Sequence, residues 1–321
     1  MKWIHFVAII FICFAASAAF ALGERATPVR DATLYVSPDP TSAKLGTAGR
    51  GRELIILEVS RDFLHVEALL SDPRRDEAYE ADEEDSGKTI SGWIVARNAV
   101  RMSTPEGDKV IYGEAVDSED QASRSRGRRG AAQDAMRLYY RVADLFPNSP
   151  LAAEAMYRSA DIRWQLDKPD IMSKPSAREQ QAFLRGQIDE HWMKEVIKKF
   201  PNTRWADLAA FHLIDNKLCG DWQGASKCPV KEADLYEKYA SEHPQSPAAN
   251  EALYDAAWRY AALIEIYKTE DQARKSDEAK NKSMALAQKV ASQTAQTDWA
   301  ARGQRLLYLL QQGVPAYGNT E

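Results

Sequence analysis

Cys219 and Cys228 are the residues of this 321-residue chain whose type and spacing specify chemistry most directly. The eight residues between them, Gly220 to Lys227, are rich in turn formers and can bring the two thiols together. A metal site needs more ligands than two thiolates, and redox pairs are usually spaced Cys-x-x-Cys. In an exported chain the pair therefore reads as a structural disulfide, which stabilises by about 2–3 kcal/mol in the chain-entropy view. No other chemical constellation is visible in the sequence. His191 is followed by Glu195, but no second histidine completes a zincin motif, and His65, His212 and His243 stand singly. There is no nucleophile elbow, P-loop or dinucleotide fingerprint. Seven acids between Asp76 and Asp85 raise the thought of calcium. They lack the glycine and the closing glutamate of an EF-hand, so an acidic solvated loop is expected. Arg124, Arg126, Arg128 and Arg129 can touch phosphates or anionic lipid. Acids lie just upstream and no aromatics interleave for base stacking, so a solvated linker is the expectation. With no catalytic, cofactor-binding or metal-binding constellation, the sequence argues against an enzyme.

The elements that must position these residues follow from composition and pattern. Hydrophobic residues make up 45% and charged residues 28%, an ordinary globular balance. With 42 Lys+Arg against 47 Asp+Glu the net charge is −5, which disfavours a nucleic-acid partner. The length corresponds to about two domains. Residues 4–22 are almost wholly apolar. Met1-Lys2 precedes them, and Ala19-Phe20-Ala21 fits the small-x-small pattern read by signal peptidase. A signal peptide over 1–21, cleaved after Ala21, is expected. An uncleaved anchor is the alternative, since the run is just long enough to span a bilayer. Cys13 lies inside this run with Ile10-Phe11-Ile12 before it, which does not resemble a lipoprotein cysteine. An oxidising compartment then follows, and with it the disulfide.

Residues 27–102 hold short β-rich runs separated by turns: Ala32 to Val36, Glu53 to Val59, Phe63 to Leu70 and Gly92 to Val95. The ordered pieces Leu34-Tyr35-Val36, Leu45-Gly46, Gly51-Arg52-Glu53-Leu54, Phe63-Leu64-His65-Val66 and Gly92-Trp93-Ile94 resemble the bacterial SH3 family. Two departures stand out: Tyr35-Val36-Ser37 replaces the usual Asn-Val-Arg, and an insertion from about Ser71 to Lys88 splits the last strands. The resemblance implies a small barrel that binds cell-wall peptides or docks on a second protein, with Tyr35 and Trp93 lining a ligand cleft. Against that, Trp93 follows Gly92 inside an apolar strand, which favours a core position for its ring.

Residues 103–130 read as a flexible linker. Beyond Gly130 apolar residues recur at helical spacing. Four helix–turn–helix segments share one register, with turns Phe146-Pro147-Asn148-Ser149, Phe200-Pro201-Asn202-Thr203, His243-Pro244-Gln245-Ser246 and Thr294-Ala295-Gln296-Thr297. Proline cannot continue the first helix, and Ser or Thr then caps the second. Upstream, Tyr139, Met193, Tyr236 and Ala287 align, as do Val142, Val196, Tyr239 and Val290. Downstream, Ala152, Ala206, Ala249 and Ala300 align, then Ala155, Ala209, Ala252 and Gly303. Small residues three apart permit close helix approach. This pattern over 131–312 resembles tetratricopeptide-type repeats, in particular the divergent class of envelope proteins that includes the outer-membrane assembly lipoprotein of the Bam complex. Here the spacings of 54, 43 and 51 residues exceed the usual 34, the fourth turn lacks its proline, and residues 313–321 form a tail.

The fold expected is a small all-β SH3-like barrel followed by an all-α, tetratricopeptide-like solenoid of helical hairpins. Stacked hairpins leave a groove lined by the first helix of each pair. Its candidate residues are Arg137, Tyr140 and Arg141, then His191, Lys194 and Glu195, then Asp234 and Glu237. Trp192 falls in the core register, Trp205 and Trp299 are placed to pack between hairpins, and Trp222 in the cysteine loop is the candidate exposed anchor. The function expected is an exported, non-enzymatic envelope scaffold that binds protein or peptide partners, with no nucleic acid and no cofactor. The alternatives are a peptidoglycan-binding protein whose helical array is a spacer, and a hydrolase or its regulatory subunit with no recognisable motif.

Overall fold

The computed structural model describes residues 23–69, 89–293 and 298–317. The expected signal peptide, the acidic insertion, the fourth turn and residues 318–321 of the tail lie outside the described residues.

Seven strands come first: β1 (Glu24–Pro28), β2 (Ala32–Tyr35), β3 (Lys44–Ala48), β4 (Leu54–Ser60), β5 (Phe63–Leu69), β6 (Thr89–Val95) and β7 (Ala99–Arg101). They form one curled antiparallel sheet in the order β3-β2-β6-β5-β4-β1-β7. Alternation sends one set of side chains inward, as a half-buried strand requires. Leu34, Leu54, Ile56, Leu64, Val66 and Ile94 are fully buried and make the core of this sheet. Gly92 sits against Leu34 and Leu45, where a Cβ would meet side-chain carbons at 3.0–3.2 Å.

Nine helices follow among the described residues: α1 (Gly107–Ser123), α2 (Ala131–Leu145), α3 (Ala152–Ser173), α4 (His191–Lys199), α5 (Arg204–His212), α6 (Lys227–Glu242), α7 (Ala249–Thr269), α8 (Ala273–Ala291) and α9 (Asp298–Gln311). The pairs α2/α3, α4/α5, α6/α7 and α8/α9 are the four expected hairpins. Two rows of their register hold throughout, whereas Ala300 is only partly buried where Ala152, Ala206 and Ala249 are buried. Tyr139, Met193, Tyr236 and Ala287 are buried, and so are Val142, Val196, Tyr239 and Val290. The turns repeat as well. The residue ending the first helix adopts φ/ψ of −128/61° at Phe146, −127/54° at Phe200 and −125/56° at His243. Each donates its backbone N–H to the carbonyl four residues back. Thr203 Oγ1 accepts from the Ala206 amide and caps α5, while Ser149 and Ser246 accept from the amides of Leu151 and Ala248, two residues on.

The flexible linker expected over 103–130 is instead mostly helix. In α1, Ile111 and Ala115 are fully buried against α2, and they join Val29, just after β1, and Val100 of β7 in one core with Leu138 and Tyr139. The segment looked like a linker because its buried face is thin: Gly107, Ile111, Ala115 and Ser118, with six charged residues among the other positions. Of the arginine cluster, Arg124 pairs with Asp120, and Arg128 pairs with Asp134 at the start of α2. Sheet and helices are therefore continuous rather than two bodies on a tether.

Candidate functional site

The junction between sheet and array consumes part of the expected groove. Gly51 adopts φ +72°, and a Cβ there would lie 2.6 Å from Arg137 Cβ and 2.9 Å from the Leu138 amide nitrogen. Two backbones meet where only glycine fits. Arg137 donates to the Arg50 carbonyl and Arg141 to the Gly51 carbonyl, at 3.1 and 3.0 Å. Asp144 takes Arg141 at 2.7 Å and Arg25 at 2.5 Å. Burial works against the Arg25 charge, but its hydrogen bonds to Glu53 and Asp144 outweigh this and raise its pKa. Arg137 and Arg141 were expected to face a partner; they face the chain's own β-domain. Periodicity placed them beside the core stripe, but it could not show what covers that stripe.

The remaining groove candidates divide. Tyr140 packs edge-on against Trp192 at 5.4 Å, which ties α2 to α4. Trp192, expected in the core, is only half-buried, with His191 edge-on at 5.0 Å and the Arg163 guanidinium 4.3 Å above its ring. Lys194 is exposed and pairs with Glu190, while Glu195 pairs with Lys198 and Lys199. Glu237 accepts from the Tyr260 hydroxyl at 2.6 Å and from Lys282 at 3.0 Å, so it bridges α6 to α7 and α8. Burial, and then that hydrogen bond, push the Tyr260 hydroxyl up to about 12. Asp234 stays exposed. Trp205 stacks on Tyr157 of the preceding hairpin, and Trp299 lies against Tyr254, as their repeat position predicts.

On the β-domain, Tyr35 and Trp93 are directly opposed across β2 and β6, and Trp93 is opposed to His65 across β6 and β5. Trp93 is not a core ring. Its neighbours Gly92 and Ile94 point inward, so alternation sends Trp93 outward, where it stacks on His65 at 4.7 Å and 13°. Ser91 Oγ fixes the His65 ring through Nε2 at 2.8 Å. Tyr35, Trp93 and His65 thus form a half-exposed aromatic row on the outer face. Strand pairing brings together residues that lie nearly sixty positions apart in sequence, and His65 was missed because it stands alone in the sequence.

The cysteines form a disulfide with a Cα–Cα distance of 6.0 Å. Such a bond belongs to an oxidising compartment outside the cytoplasm. Trp222 within this loop is not an exposed anchor: it is 9% exposed, and its indole N–H donates to Glu232 at 3.1 Å. Glu232 also accepts from the Cys219 amide at 2.9 Å and pairs with Arg259 at 3.1 Å. A buried carboxylate with three donors is satisfied, so this group organises the loop.

One more polar cluster was not foreseen. His212 Nε2 lies 3.1 Å from the Tyr157 hydroxyl and 3.2 Å from Asp161, and Lys168 pairs with Asp215 at 2.7 Å. Burial lowers the His212 pKa despite the pull of Asp161 and Asp215. Tyr157 and Asp161 meet the same ring nitrogen, so His212 lacks the two-sided relay of a nucleophilic triad. Among the described residues no group of His, Cys, Asp or Glu could hold a metal ion, and no helix is long and apolar enough to cross a membrane.

Comparisons with known proteins add little. No family model matches the chain, and no curated protein matches it. A solved structure titled "DHF79 filament" is similar at 14% identity over 63% of this chain and 99% of its own, with a TM-score of 0.19.

Proposed function

We propose that this chain is an exported, non-enzymatic adaptor of the cell envelope, which binds protein or peptide partners on a tetratricopeptide-type array and docks through a bacterial SH3-like domain. The observation that carries the reading is the junction. Gly51 is wedged against α2, and the arginines of α2 are spent on holding the β-domain in place. A chain that fixes two modules in one orientation presents their free faces at a set separation, which is what a scaffold requires. The disulfide fits the same reading.

The aromatic row of Tyr35, Trp93 and His65 favours one alternative, a peptidoglycan-binding protein, because aromatic faces stack on sugar rings and on peptide bonds alike. The two are separated by photo-crosslinking in the native envelope, with the reactive side chain at the exposed positions Lys194 and Asp234 and, separately, at Trp93. Protein adducts at Lys194 or Asp234 support the adaptor. Sedimentation of the intact chain with purified peptidoglycan, lost in Trp93→Ala, supports the alternative. Hydrolytic turnover by the purified chain overturns both. The intact chain is needed because Val29 and Val100 share their core with α1 and α2, so a 27–102 fragment lacks most of that core.

A further inference from the structure

The side of the array next to the disulfide carries a pocket that this chain fills with its own tyrosine. After α9, Gly313 (φ +70°) reverses the chain, and the Gly313 and Val314 amides donate to the carbonyls of Leu310 and Leu309. The segment then passes Pro315 and Ala316 and sets the Tyr317 ring 5.4 Å from Trp222 and 6.2 Å from Trp258, whose own rings are 5.6 Å apart. Cys228, Ala262 and Ile266 floor this cluster.

The pocket walls do not depend on Tyr317. Trp258 is carried by α7. Trp222 is held by Glu232, by the disulfide, and by the 178–180 segment, which receives the Gly220 and Asp221 amides and gives the Gln180 side chain to the Trp222 carbonyl. By contrast the occupant has no regular secondary structure, and beyond its turn only Ala316 and the Tyr317 ring are packed against the array. Walls preset by a staple and a buried carboxylate, filled by an irregular segment, make a receptor with a replaceable ligand.

We infer that the Trp222/Trp258 pocket is a peptide-binding site for an extended partner segment bearing an aromatic residue after a proline or small residues, and that Tyr317 occupies it in cis as a competitor. This deepens the adaptor reading, on which it rests, by naming one site on the array and the chemistry of its ligand. Tethering gives the chain's own tyrosine an effective concentration on the order of millimolar, so a partner must displace it.

The test uses a synthetic peptide of residues 312–321 as probe, titrated into the full chain and into the full-length Tyr317→Ala variant, with tryptophan fluorescence and calorimetry as readouts. Saturable binding to Tyr317→Ala, weaker by about tenfold or more in the unsubstituted chain, is expected from the effective-concentration argument. The same peptide with its tyrosine replaced by alanine is expected not to bind, and Trp258→Ala combined with Tyr317→Ala is expected to abolish binding. No saturable binding to a Tyr317→Ala chain whose circular dichroism is unchanged overturns the proposal, and so does equal affinity for the two chains. Failure here leaves photo-crosslinking at Lys194 and Asp234 unaffected, so the adaptor reading stands or falls separately.

Discussion

The helical array is covered in two places, and the two covers are built differently. At its start, a whole β-domain is joined by a shared core, a glycine wedge and ion pairs around Asp144. Beside the disulfide, a short irregular segment is attached through the Tyr317 ring and Ala316. Both remove aromatic or charged helix surface from solvent, but the first does so with many coupled contacts and the second with few. Local opening free energy scales with such contacts, so the first cover is expected to open only with global unfolding and the second far more often.

The largest test of this contrast is at Gly51. Replacing it with alanine forces an L side chain into φ +72° and drives a Cβ into the α2 backbone. Left-handed strain and overpacking together are expected to cost on the order of 4 kcal/mol, read as a fall in the denaturation midpoint. A change below 1 kcal/mol would mean that the junction yields easily and that the two covers are alike. Next in size is the disulfide. The Cys219→Ala/Cys228→Ala double variant is expected to lose about 2–3 kcal/mol. Hydrogen exchange should show the added opening concentrated around Trp222 and Glu232, with the 24–60 region unchanged. Uniform loss of protection would count against a locally acting staple.

The sequence made the array legible and left its coverings obscure. Proline turns and apolar spacing located three described hairpins to the residue, because these features act within one turn of helix: Val142, Val196 and Tyr239 occupy equivalent buried positions. Four of the seven strands, β2, β4, β5 and β6, were legible as short β-rich runs, whereas β1, β3 and β7 were not. What failed was everything set by long-range contact. Trp93 was assigned inward because a short apolar strand does not reveal its phase, and Gly92, not Trp93, takes the inward position. Trp222 was assigned outward because its cover arrives from nearly a hundred residues away at Tyr317. Arg137 and Arg141 were assigned to a partner because one helix face looks the same whether a stranger or the chain's own β-domain lies on it. Residues 107–123 looked like linker because burial of Ile111 and Ala115 is enough to seat a helix whose other faces are charged. The Tyr35, Trp93 and His65 row was half-visible: two members were named from resemblance, and the third required strand register.

A smaller effect is expected at Asp144, which accepts from Arg25 across the junction and from Arg141 within α2. Asp144→Ala leaves two partly buried guanidiniums short of a counter-charge. Because both retain some water and Arg25 keeps Glu53, the expected cost is about 2 kcal/mol, below the range for a fully buried pair. The Asp144→Ala/Arg25→Ala double variant separates pairing from general destabilisation: a coupling energy indistinguishable from zero would remove Asp144 from the account of the junction.

The smallest expected effect is one of pH, and it lies between the two covers. His212 is partly buried with Tyr157, Asp161 and Trp164, and this burial holds its pKa below the ordinary histidine value. The native state therefore takes up the proton less readily than the unfolded chain does. Above the unfolded-state pKa of about 6.5 neither state is charged at this residue, and its contribution to stability is fully present. As pH falls below that value the unfolded chain binds a proton that the native state resists, so stability is lost until the folded-state pKa is passed. His212→Asn removes this term, leaving the carboxylates common to both proteins. The difference in stability between the unsubstituted chain and His212→Asn, followed by denaturant titration from pH 7.5 to 5, should thus shift against the unsubstituted chain as pH falls. A difference that stays flat would show that Asp161 and Asp215 compensate the burial fully. A difference that grows in favour of the unsubstituted chain would show that they exceed it, and that the Tyr157/His212/Asp161 cluster is an ion pair rather than a neutral hydrogen-bonded group.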